Sequence, residues 1–320
     1  MLKNLISNVV KMLQKLKNRL KKSRLIYGLY MRLKRTFSSE FLGMTSKTEQ
    51  DYFYKYGEKL YTGKGEIVDL GCWLGSTTIP LVKGLLKNPA FVASDRKVFA
   101  YDLFVWYEWM NSSVVGTNLA GKFQEGDNFV AEFKRRTEEY ASRIEICEGD
   151  LVKIGWNSQN IEFLLIDAMK NWELANGIVR HFFKSLMPQK SYILHQDFAH
   201  FFTPWIHLLQ WQFRENFEFA GEIPKSPSVI FKYVKKLDDE TLVKNYSFES
   251  FTDKDVDAAF DYSMQIVSAE KIANVAAAKV MWFIHQQKID QAKGELANFL
   301  SQGVALEKDL LVVSDLIKNK

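Results

Sequence analysis

Four of five short apolar runs end at or beside an aspartate, and the first holds one within it. Asp69 lies inside the run Glu66–Leu70, Asp102 closes Val98–Asp102, Asp150 follows Ile144–Glu148, Asp167 closes the run 163–167, and Asp197 closes the run 192–197. A carboxylate in such a place can accept hydrogen bonds from paired hydroxyls, take a proton, or hold a hard cation. His195 and Gln196 immediately precede Asp197, adding a general base and a neutral oxygen ligand to the same short stretch.

The first of these runs continues Asp69-Leu70-Gly71-Cys72-Trp73-Leu74-Gly75-Ser76-Thr77-Thr78, which reads as a strand, a glycine turn and a helix opened by Ser and Thr. A ligand is expected over Gly71. A dinucleotide-binding turn needs a second glycine near position 73 so that the backbone can approach a pyrophosphate, and Trp73 stands there instead. That disfavours NAD and FAD, and with them an oxidoreductase or epimerase.

These residues need a scaffold that brings strand ends together. Apolar runs alternating with helical stretches from Gly65 onward predict an α/β, doubly wound parallel sheet, in which ligands bind beyond the carboxyl ends of the strands. The run 228–234 predicts a final antiparallel strand. S-Adenosylmethionine, which has no phosphate, suits such a site. Asp102 would receive its ribose hydroxyls, Asp150 its adenine amino group, and Asp69 the amino group of its methionine part. His195 or Asp197 would take the proton of a methyl acceptor. The aromatic stretch 104–111 is either an acceptor wall or ordinary core. His200 and His207 follow the last parallel strand, where packing roles are expected.

The chain holds 320 residues with a formal charge of +5, but residues 1 to 36 carry 11 Lys and Arg and no acid. The rest is mildly acidic, which argues against nucleic acid as a partner. Leu2, Ile6, Val9, Leu13, Leu16 and Leu20 recur at helical spacing among those bases, predicting a basic amphipathic helix able to lie on an anionic membrane surface or to pack on protein. It is too interrupted for a secretory signal or a spanning helix. Cys72 and Cys147 show neither disulfide nor zinc spacing, which fits a reducing, cytoplasmic setting, with peripheral attachment at the inner membrane face. The organisation expected is a basic segment over 1–36, a catalytic domain over 37–236, and a helical appendage over 237–320, where the stretches 277–284 and 289–296 read as a helix pair. Such a pair packs on its own domain or supports a homo-oligomer.

From Gly65 to Lys235 the chain resembles the class I S-adenosylmethionine-dependent methyltransferases with their Rossmann-like sheet, and within them the macrocin-type sugar O-methyltransferases. The resemblance rests on Val68 to Ser76, on Asp95 to Phe104, on Ile166-Asp167, and on Leu194 to Phe198. It extends the expected cofactor contacts to Cys72, Trp73, Gly75, Ser76, Leu103 and Asp167. It also implies Mg2+ held by an aspartate after the fourth strand and an aspartate pair after the fifth, here Asp167, Gln196 and Asp197. The sequence departs from that pattern twice: Gln196 replaces the first acid of the pair, and Asp167-Ala168-Met169-Lys170 lacks the family's glycine and histidine. The expected activity is O-methylation of a hydroxyl on a sugar, glycolipid or polysaccharide precursor. The rival is a scaffold that keeps the fold without the chemistry.

Overall fold

The computed structural model describes residues 43–157 and 159–318. The basic helix expected over 1–36 lies outside them.

Seven strands form one mixed sheet in the order β3-β2-β1-β4-β5-β7-β6. They are β1 Glu66–Leu70, β2 Val98–Asp102, β3 Ile144–Glu148, β4 Ile161–Ile166, β5 Tyr192–His195, β6 Phe217–Glu222 and β7 Val229–Tyr233. The first five run parallel, and β7 is antiparallel to both β5 and β6. Every residue of β1 and β4 is buried, as befits central strands covered on both faces. The doubly wound α/β expectation and the antiparallel strand near 228–234 are both present. The edge strand β6 was not foreseen: three of its residues in succession are exposed, so it carries no alternating apolar signal.

The chain winds outward from β1 to β3, then crosses back so that β4 lands on the other side of β1. Strand order therefore reverses between β1 and β4, which is where such sheets open a crevice. The strands β4 and β5 stop at Ile166 and His195, so Asp167 and Asp197 stand one and two residues beyond the sheet.

Among the helices, α1 Lys47–Lys55 begins with a reciprocal cap between Ser46 and Glu49, and α2 Thr78–Leu85 follows the glycine turn. The helix α3 Trp172–Phe182 is capped by Asn171, whose side chain accepts the N–H of Leu174 at 2.8 Å, and α4 Pro204–Gln212 follows β5. The expected C-terminal helical region consists of α5 Asp253–Ile266, α6 Ile272–His285, α7 Ile289–Ser301 and α8 Lys308–Lys318. Helix α6 is buried on nearly all sides, and rings of Trp172, Trp205, Phe251 and Trp282 pack it to α3 and α4. These helices thus continue the core on one face of the sheet.

Candidate active site

At the end of β1 the chain turns through Gly71, whose φ is +91°. A Cβ there would stand 2.8 Å from the backbone oxygen of Asp167, so only glycine lets β1 and β4 close together at the switch point. Trp73 and Phe104 also take left-handed backbone, at φ 41° and 53°. One carboxylate braces both. Asp102 accepts the N–H of Trp73 on Oδ2 and that of Phe104 on Oδ1, each at 2.8 Å. Burial pushes the Asp102 carboxyl above its ordinary range, while these backbone donors pull it back. The carboxylate keeps acceptor capacity beyond its backbone donors, and Asp102 lines a cavity of about 810 Å³ over the strand ends.

The expected cofactor residues divide in two. Gly71, Trp73, Leu103, Asp102, Asp150 and Asp167 line the cavity. Asp69, Cys72, Gly75 and Ser76 do not. Asp69 is fully buried, and its Oδ2 accepts the hydroxyls of Thr77 at 2.7 Å and Thr78 at 2.6 Å. Those threonines, expected to cap the helix, grip Asp69 instead, and Thr77 makes no side-chain cap bond. Burial pushes Asp69 up to about 6. Asp150 lines the cavity and also turns the chain, accepting the N–H of Val152 at 3.0 Å.

The polar end of the cavity contains an ion cluster. Lys170 Nζ donates to Asp167 Oδ1 at 2.6 Å and forms a direct ion pair with Asp197 Oδ2. Burial opposes the Lys170 charge, but the two carboxylates outweigh it and raise its pKa, so it is an ammonium. Burial first, with Asp197 and Glu49 adding, pushes Asp167 up to about 7 against the pull of Lys170. Trp205 Nε1 donates to the Met169 carbonyl at 2.7 Å, fixing the loop that carries Lys170.

The Mg2+ site implied by the resemblance does not fit this arrangement. Asp167 and Asp197 already share an ammonium, and no group of three or more His, Cys, Asp or Glu suited to a metal occurs among the described residues. Gln196 lines the cavity with a buried Oε1 that has no hydrogen-bond partner among the described residues.

His195, expected as a general base, does not reach the cavity. Its ring is buried against Phe198 and Phe231, and burial pushes its pKa down to about 3. His207 is likewise internal, with Nδ1 2.9 Å from Ser263 Oγ. His200 does line the cavity, with Nδ1 4.0 Å from Asp309 on α8.

The aromatic stretch divides between core and cavity. Phe104 and Trp106 are core, whereas Tyr107 and the half-exposed Trp109 face the cavity. Sequence reasoning missed Glu49 and Lys170 as cavity residues. The pairing of Ser46 with Glu49 at capping-box spacing would have placed a helix there, but nothing local ties that helix to the strand ends.

No family model matches the chain, and no curated protein matches it. Solved structures similar to it include the O-methyltransferase NovP, 15% identical over 61% of this chain and 83% of that one, with a TM-score of 0.46. The pyocyanin biosynthetic protein PhzM is 11% identical over 57% of this chain and 54% of its own, with a TM-score of 0.33. Human N-acetylserotonin methyltransferase in complex with SAM is 10% identical over 68% and 58%, with a TM-score of 0.34.

Proposed function

We propose that the protein is an S-adenosylmethionine-dependent O-methyltransferase whose acceptor is a hydroxyl on a sugar, glycolipid or polysaccharide precursor. One observation carries the reading: a single cavity over the β1/β4 switch point joins the Gly71 turn and Asp102 to the carboxylates Asp167 and Asp197. The first pair of residues suits a nucleoside, and the second suits a hydroxyl that must lose a proton.

Gly71, Trp73, Leu103, Asp102 and Asp150 would hold the cofactor, with the free acceptor sites of Asp102 on the ribose. The bound cofactor supplies a methyl group on a sulfonium that departs as a neutral thioether. The protein's own work is to align the acceptor, keep water away, and take its proton on Asp167 or Asp197. The rings of Tyr107 and Trp109 offer flat surfaces for a sugar face. The basic segment over 1–36 would bring the enzyme to an anionic leaflet and to lipid-linked acceptors there. No helix among the described residues is long and apolar enough to cross a membrane.

Calorimetric titration with S-adenosylmethionine, S-adenosylhomocysteine and NAD tests the reading. Binding of the first two without the third is expected. NAD binding would overturn it in favour of a dinucleotide enzyme, and binding of none would leave the scaffold alternative.

A further inference from the structure

We propose that Lys170 is the resident cation of the acceptor site: its ammonium, fixed between Asp167 and Asp197, holds the acceptor oxygen in the role for which the sequence resemblance implies Mg2+. The chemistry rests on the methyltransferase reading, but the location of the cation does not.

Three observations converge on it. An ammonium carries three N–H donors, and Lys170 spends two on Asp167 and Asp197. No third hydrogen-bond acceptor meets it among the described residues, and Lys170 faces the cavity, so one donor is left for a ligand oxygen. The charges also balance. Relative to the resembled pattern the site has lost one carboxylate, at Gln196, and would exchange a divalent ion for a monovalent one, leaving its net charge unchanged. Finally, the lysine is held in place: the Met169 carbonyl is tied to Trp205, Asn171 caps α3, and the Phe202 ring centroid lies 5.6 Å from Nζ.

In the reaction, the acceptor oxygen bonds to the methyl carbon as the carbon–sulfur bond breaks, and the bonding pair stays on sulfur. The hydroxyl proton passes to Asp167 through the oxygen not used by Lys170. Lys170 remains protonated and stabilises the negative charge developing on the acceptor oxygen.

The test is electron paramagnetic resonance of Mn2+ titrated into the full chain, with calorimetric S-adenosylmethionine binding measured on the same samples. Wild type should leave the free-ion signal undiminished. Lys170→Met should bind Mn2+ about tenfold or more tightly than wild type, because two unpaired carboxylates and Gln196 are exposed to it. Lys170→Arg should exclude the ion again, which shows that charge and not misfolding decides the result. With an acceptor in hand, chelation should leave wild-type turnover unchanged, and Lys170→Met should lose about 100-fold or more. Mn2+ bound by wild type and released by Asp167→Asn overturns the proposal, as does Lys170→Met that gains no affinity or Lys170→Arg that binds like it. Failure of S-adenosylmethionine to bind any form overturns the methyltransferase reading, while the Mn2+ comparison still locates the cation.

Discussion

The backbone N–H of Trp73 donates to the carboxylate of Asp102 across 2.8 Å, so the residue expected to hold the cofactor's ribose also sets the shape of the turn beneath it. Asp102→Ala should therefore do two things at once. It leaves the N–H groups of Trp73 and Phe104 without their acceptor, costing about 1–3 kcal/mol each where they stay dry, and it should weaken S-adenosylmethionine binding by about tenfold or more. Thermal unfolding and calorimetry report the two effects separately. Unchanged affinity would sink the ribose assignment.

Gly71→Ala should damage the site through its neighbour. The left-handed backbone alone costs about 1–3 kcal/mol for a side-chain-bearing residue, and the new methyl would press on the Asp167 carbonyl. Denaturant titration should show the lost stability. Cofactor binding should fall with it, because Asp167 cannot keep its place.

His195 should govern acid stability and leave turnover alone. Its folded-state pKa, near 3, lies below the ordinary 6.5, so the folded protein holds fewer protons than the unfolded chain. The stability from its neutral ring is present above the ordinary value and lost as pH falls through about 3. His195→Phe should flatten the decline in unfolding free energy between neutral and acid pH, measured by urea titration at several pH values. A folded variant with abolished turnover would restore histidine as the base.

Asp309, on α8, accepts the N–H of Phe201 at 3.0 Å and stands beside His200 at the cavity rim. Asp309→Ala should loosen that loop. Losing one such bond, worth about 1 kcal/mol, corresponds to an acceptor KM raised about fivefold, with S-adenosylmethionine affinity nearly unchanged. Steady-state kinetics and calorimetry separate the two. Equal losses in both would mean that α8 supports the whole domain and not the rim.

The parallel strands and the glycine turn were legible because central strands buried on both faces read as unbroken apolar runs, and because ligand-facing acids gather at their ends. The Lys170 cluster was not. Its partners lie 3 and 27 residues away in sequence and meet only because β4 and β5 pair with Ile166 beside His195. The placement of His195 has a related cause: adjacency to Asp197 in sequence did not reveal that the His195 ring packs against Phe198 and Phe231. Glu49 was invisible for a third reason, since it comes from a helix preceding the first strand.

Glu49 also bears on how the molecule assembles. Its Oε1 accepts the hydroxyl of Ser228 at 2.6 Å, a buried bond between residues 179 positions apart, and Glu49 lines the cavity. Closing so long a loop is costly in chain entropy and comes after local structure has formed. A refolding chain should regain its helical dichroism before it can bind any ligand, with the pocket among the last features to appear.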